Sequence, residues 1–353
     1  MSLPILIYLD NVATTLKKPQ SVIDAVTHAL TSYGNSGRGA YKNALDSSRI
    51  IYDTRVKLTS FFGGNDPAKV IFTCNATESL NTVLFGLLHK GDHVISTVTE
   101  HNSVLRPLYK LNSEREVSYD FVGINDRGVL KYEEFKRYIK VNTKAIVVNH
   151  VSNVTGEVAN LHYISKVARE NNIYLIVDAS QSAGNIKIDM EETGIDILCF
   201  TGHKSLLGPG GTGGIVINED IDLDTFKVGG SGIQSFNKEQ PKEYPTRLEA
   251  GTLNIHGIAG LSAGIDFINE SGIENIHEKE MRLLKQFYMG IKDIENIRIY
   301  LNSEAVANND FFHGGILSLN MGKLSSGEVS DILATEYNIA TRPGALRDRK
   351  SVV

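Results

Sequence analysis

Tyr174-Leu175-Ile176-Val177-Asp178-Ala179-Ser180-Gln181 is an unbroken apolar run that stops at an acid and passes into small polar residues. A strand with one face in water alternates apolar with polar residues. A run without alternation needs cover on both faces, as in a parallel sheet between helices. Working outward, the pattern recurs on both sides. Upstream, Lys144–Asn149 reads as a strand and Leu161–Asn171 as the helix that follows it; downstream, Ile197–Thr201 is the next strand. Earlier still, Lys69–Thr73, His93–Thr97 and Val117–Val122 read as strands, with helices over Ala76–His89 and from about Asn102. Such alternation implies an α/β domain with a mostly parallel sheet.

Beyond Asn254 the pattern changes. One long helical stretch is expected over about Gly257–Asp293, then strands at Ile297–Leu301 and Gly315–Asn320 and a helix at Ser326–Tyr337. These read as a smaller α+β unit. The expected division is a large domain over residues 15–257 and a small one made of 1–14 and 258–353. A count of two agrees with a length of 353 residues at roughly 150 per domain. The Gly229–Pro245 loop is polar and long enough to be functional or mobile. No internal repeat is present.

Composition narrows the function classes. The chain is 41% hydrophobic and 22% charged, with a formal net charge of -5 and no basic block, so a nucleic-acid partner is not expected. The longest apolar runs are far too short to cross a bilayer. Met1–Asp10 has no basic region and no small-residue cleavage site, and reads as a mature amino terminus. The two cysteines, Cys74 and Cys199, give neither a disulfide framework nor a metal-ligand pair, which suits a cytoplasmic location.

The residues that carry chemistry stand at strand ends. In Thr201-Gly202-His203-Lys204-Ser205-Leu206-Leu207-Gly208-Pro209-Gly210-Gly211 a lysine leaves a buried strand and enters a glycine-rich turn. Taken alone this is a polar loop, but a lysine amine can also join a carbonyl cofactor. Asp178 either caps a turn or lies where open α/β sheets bind ligands. Thr73-Cys74-Asn75-Ala76-Thr77-Glu78 joins a strand to a helix; Asn75 or Thr77 caps that helix, or its N–H groups take a phosphate. A lysine, an aspartate and a phosphate loop in this order are what pyridoxal phosphate needs: a carbonyl partner, a partner for the ring nitrogen and an anion site.

Tyr8-Leu9-Asp10-Asn11-Val12-Ala13-Thr14-Thr15, Ala76-Thr77-Glu78, Glu100-His101-Asn102-Ser103, His150-Val151-Ser152-Asn153-Val154-Thr155-Gly156, Thr201-Gly202-His203-Lys204 and Glu249-Ala250-Gly251-Thr252-Leu253-Asn254 together resemble the cysteine desulfurase family. That family belongs to the class V aminotransferase group of fold-type I pyridoxal phosphate enzymes. Arg342-Pro343-Gly344-Ala345 is similar to its Firmicutes-type branch, and the resemblance runs from about Tyr8 to Gly344. It implies a homodimer that takes sulfur from cysteine (or selenium from selenocysteine), leaves alanine, and passes the sulfur to an acceptor protein. Lys204 would be the Schiff-base lysine, Asp178 the partner of the ring nitrogen and His101 the residue stacked on the ring. Gln181 and Asn153 would stand at the phenolic oxygen. Asn153 and Arg342 would face the substrate. Ala76, Thr77, Thr201 and His203 would hold the phosphate, and Thr252 would reach it from the neighbouring subunit. Val12 and Ser180 stand where alanine is usual in the family.

One departure touches the chemistry. The family carries a nucleophilic cysteine shortly after its Arg-x-Gly motif. Here the motif continues Leu346-Arg347-Asp348, so Arg347 occupies the cysteine position and Leu346 that of a common histidine. Relatives run on past this point and supply an arginine for the substrate carboxylate, so the small domain is expected to be cut short. The codons of a common short-read sequencing adapter can encode Asp348-Arg349-Lys350-Ser351-Val352-Val353, and that tail is expected to be foreign. The resulting expectation is impaired sulfur release. Alternatives are a class V transaminase or β-lyase, which needs no cysteine, or a non-catalytic partner in sulfur transfer.

Overall fold

The computed structural model describes residues 6–36, 39–218, 220–301, 306 and 312–344. Ala345, Leu346, Arg347 and the tail to Val353 lie outside the described residues. The chain opens with strand β1 (Ile7–Tyr8) and helices α1 (Gln20–Ser32) and α2 (Lys42–Phe62). A seven-stranded sheet follows: β2 (Val70–Thr73), β3 (His93–Thr97), β4 (Ser118–Val122), β5 (Thr143–Asn149), β6 (Tyr174–Asp178), β7 (Ile197–Thr201) and β8 (Gly213–Ile217). Their order is β2-β8-β7-β6-β5-β3-β4, and only β8 runs in the direction opposite to the rest. The crossovers carry α3 (Ala76–Leu87), α4 (Asn102–Arg115), α5 (Glu133–Arg137), α6 (Leu161–Glu170) and the short α7 (Met190–Thr193).

Both faces of this sheet are covered, which is why β6 reads as a continuous apolar run. Leu175 and Val177 join Ile164, Val167, Phe62 and Ile265 in one apolar cluster. Ile176 joins Leu80, Leu84, Val104 and Leu108 in the other. The expected α/β architecture with a mostly parallel sheet is the one found.

Strand β8 escapes a reading of periodicity because it begins with two glycines. Both are needed for close approach. A Cβ on Gly213 would lie 2.7 Å from Asn75 Cα, and one on Gly214 would lie 2.6 Å from Phe200 Cζ. The pair therefore lets the start of α3 and the end of β7 come together.

The expected long helix is two. Helix α8 (Ile255–Ser271) and α9 (Ile273–Ile291) are broken at Gly272, whose φ of 78° favours glycine. Ile255, Ile258, Leu261, Ile265 and Ile268 of α8 belong to the large core, whereas α9 buries only Leu284. On that ground we propose that the division between the two units falls near Gly272 rather than at 257/258. The smaller unit holds α9, the antiparallel pair β9 (Ile297–Tyr300) and β10 (Ser318–Met321), α10 (Ser326–Tyr337), and β11 (Ile339–Ala340). β11 pairs in parallel with β1, joining the two ends of the chain. Among the described residues no helix is long and apolar enough to cross a membrane.

Candidate active site

A cavity of about 160 Å³ opens where the carboxyl ends of β5, β6 and β7 meet the amino ends of α3 and α4. Ala76, Thr77, His101, Asn153, Asp178, Gln181, Thr201, His203 and Lys204 all line it. These nine come from five separate segments, and the topology brings them together because parallel strands deliver their ends to one edge.

Asn75 caps α3, its side chain accepting the Glu78 N–H at 2.9 Å. The N–H groups of Ala76 and Thr77 have no acceptor among the described residues and stand at the cavity, where a helix start favours an anion. His101 caps α4: its Nδ1 accepts the Ser103 N–H at 3.1 Å. In the neutral ring that contact leaves the proton on Nε2. Ser103 Oγ lies 2.8 Å from the same Nδ1 and 2.7 Å from Thr77 Oγ1. Ser103 thereby links His101 to the start of α3, a contact the sequence reading did not assign. Its spacing, two residues after a helix-capping histidine, was the available signal.

Asp178 is buried at the end of β6, and its Oδ1 accepts from the N–H and Oγ of Ser180 at 2.9 and 2.5 Å. Oδ2 is left for the cavity. Gln181 donates through Nε2 to the Val12 carbonyl at 3.3 Å, and Thr201 Oγ1 reaches the Thr212 carbonyl at 3.4 Å. Burial pushes the Lys204 ammonium below its usual range; Asp178 opposes the shift and Arg342 adds to it. Burial also lowers His203, with Lys204 and Lys18 adding to the effect.

The turn that carries Lys204 is fastened by the first residues of the chain. The His203 carbonyl accepts from Lys18 Nζ at 2.8 Å, Thr15 N at 3.2 Å and Thr14 Oγ1 at 3.3 Å. The Lys204 carbonyl accepts from Thr15 Oγ1 at 2.9 Å. Burial brings Lys18 down to about 8. None of these contacts was foreseen, because their partners lie nearly 190 residues apart.

Two expected site residues fall outside the cavity. Thr252 is exposed. Arg342 is exposed and forms a two-pronged ion pair with Asp10, Nε–Oδ1 2.8 Å and Nη2–Oδ2 2.9 Å. Neither cysteine lines the cavity either. Burial, with Asp178 nearby, raises the Cys199 thiol well above its usual range; burial and a Glu78 contact raise that of the exposed Cys74.

The donors present suit pyridoxal phosphate. Free N–H groups at a helix start face one side of the cavity, and an aspartate oxygen and a lysine amine face it as well. Asn153 Oδ1 is buried with no hydrogen-bond partner among the described residues, as expected of a group awaiting a ligand.

A family model described as Aminotransferase class-V matches residues 7–346. A probable cysteine desulfurase of Methanothermobacter thermautotrophicus is 32% identical, covering 96% of this chain and 84% of the relative. One from Pyrococcus abyssi is 34% identical with the same coverage. The apo structure of a cysteine desulfurase from Thermococcus onnurineus superposes with a TM-score of 0.89 at 31% identity, covering 96% of this chain and 84% of that one. The fold, the strand-end cavity and these likenesses agree: the chain belongs to the class-V aminotransferase family, within its cysteine desulfurase group.

Proposed function

We propose that this chain binds pyridoxal phosphate at the β5–β7 edge and acts on the α-carbon and sulfur of cysteine or selenocysteine. The observation that carries the reading is Lys204, its charge disfavoured by burial, sharing one cavity with Asp178 and the open start of α3. Pyridoxal phosphate, when bound, supplies a carbonyl that an amine can join and a ring that accepts electrons from a substrate's α-carbon. Ala76, Thr77, Thr201 and His203 would hold the phosphate, and Asp178 would serve the ring nitrogen. His101 would lie against the ring, while Gln181 and Asn153 would serve the phenolic oxygen. The Lys204 amine would take the α-proton, and burial, by disfavouring its charged form, favours the neutral amine this step requires. Thr252 serves the site of a neighbouring copy in a homodimer, and a sulfur-acceptor protein completes the turnover.

Sulfur transfer needs a thiolate beside the substrate sulfur. Arg347, at the family's cysteine position, is not a nucleophile, and the raised thiols of Cys74 and Cys199 are poor substitutes. Sulfur release is therefore expected to be slow. The same feature favours a second reading, β-elimination, which gives pyruvate in place of alanine.

The test is direct. Purified chain with added pyridoxal phosphate should show a visible band, and borohydride should fix the cofactor to Lys204 as read by peptide mass. Lys204→Ala should lose both while remaining folded. Cysteine should then yield sulfide slowly, with alanine under the first reading and pyruvate under the second. A band that persists in Lys204→Ala, fixed to another lysine, refutes the assignment.

A further inference from the structure

The loop that carries Asn153 is held from the other end of the chain. Three successive carbonyls accept from one short segment: Val154 O from Ser318 Oγ at 2.5 Å, Thr155 O from His313 Nε2 at 2.8 Å, and Gly156 O from Gly314 N at 2.8 Å. The loop's own N–H groups turn inward, with Val154 N and Thr155 N reaching Ser152 Oγ at 3.3 and 3.2 Å and Gly156 N reaching Ser152 O at 2.9 Å. Donors are thus used inside the loop and acceptors by the strap.

The two segments also interlock without spare room. Gly156 has a φ of 72°, and a Cβ there would lie 2.0 Å from His313 Cε1. A Cβ on Gly314 would lie 2.2 Å from Val151 Cγ1. The strap is also tied to the segment after β6, since Asn185, four residues past the cavity-lining Gln181, donates to Gly314 O at 3.4 Å. Between these fixed points sits Asn153, lining the cavity.

We propose that His313, supported by Gly314 and Ser318, is a positioning residue that sets Asn153 over the cavity, so that the smaller unit fixes geometry at the substrate end of the site. This rests on the cofactor reading above. A loop holds a side chain to within the tolerance of catalysis only if something outside it removes its freedom, and a 1 Å error is costly. Burial brings His313 down to about 4, so at neutral pH the ring is uncharged and its Nε2–H remains a donor to Thr155 O.

The experiment compares His313→Ala, His313→Gln and the milder Ser318→Ala, each alone and with Asn153→Ala. In cofactor-free protein, hydrogen exchange over residues 151–158 should quicken in His313→Ala. In the loaded protein, its visible band should shift. The apparent Kd for cysteine, read from the band, should rise about five- to tenfold, the scale of one net hydrogen bond. Ser318→Ala should move both readouts the same way and less, and His313→Gln, which restores a donor, should recover most of the loss. With Asn153→Ala present, His313→Ala should add less than about twofold, since both changes act through one group. An equal loss in that background overturns the proposal, as does faster exchange with an unmoved band and Kd. A parent protein without any visible band refutes the cofactor reading, and the role given to Asn153 falls with it; the exchange data still report the strap on their own.

Discussion

At the scale of single residues, Asp178 is buried, and Ser180 fixes its carboxyl plane through two bonds to Oδ1. Asp178→Asn keeps the shape and removes the charge. Cofactor binding should persist, while exchange of the α-proton of cysteine or alanine, followed by deuterium incorporation, should fall by roughly 10²-fold, the scale of losing one preorganised electrostatic partner. Exchange at the parent rate would remove Asp178 from the role proposed for it. The residues legible in the sequence, Lys204, Asp178, Thr77 and His101, share a local property. Each stands at a strand end or a few positions beyond one, and strand ends can be read from apolar runs. Thr14, Thr15 and Lys18 were not legible in the same way, because what they do is set by a partner's backbone, brought near only by the fold.

At the scale of elements, β2 is an edge strand whose outer Phe72 N–H would lack a partner in the sheet. Glu249 supplies it: Oε1 accepts from Phe72 N at 2.7 Å while Oε2 pairs with the buried Arg55 at 2.7 Å. Arg55 also donates to the Val70 carbonyl and lies 4.6 Å over the Phe72 ring. One carboxylate thus closes the sheet edge and anchors the segment leading to Thr252. Glu249→Ala leaves a buried guanidinium and an N–H unpaired, and should cost about 3–5 kcal/mol in denaturant unfolding; Glu249→Gln, which keeps an acceptor, should cost less. A loss under about 1 kcal/mol, the range of an exposed pair, would show that water reaches the site. Parallel strands were legible here because burial on two faces leaves a plain apolar signature. Strand β8 was not, because close approach of Asn75 and Phe200 selects glycine, which in sequence looks like a turn. The break at Gly272 was missed for the opposite reason, since apolar helical spacing continues on both sides of it.

At the scale of the whole molecule, Glu280 of α9 packs beside Asn185, which follows β6. Burial raises its carboxyl to about 7, with Asn185 opposing the shift through a hydrogen bond. Between the ordinary carboxyl value and about 7 the folded chain holds a proton that the unfolded chain has lost, so stability falls as pH rises through that window. Glu280→Gln should flatten this slope and raise stability at pH 8 by about 1 kcal/mol, a figure reduced from full linkage because the side chain is only half-buried. Melting curves from pH 5 to 8 measure it; an unchanged slope in the variant would place the titrating group elsewhere. The junction of the chain's two ends has a different kind of consequence, in time. Ile7 and Tyr8 pair with Ile339 and Ala340, and the Asp10 carboxylate pairs with Arg342. At about 5–20 residues per second, a ribosome leaves the first strand waiting on the order of twenty to sixty seconds for the last. During that interval Thr14, Thr15 and Lys18 can close on the Lys204 turn, but the strand ahead of them has no sheet to join. Strand β1 is therefore made long before the strand it pairs with.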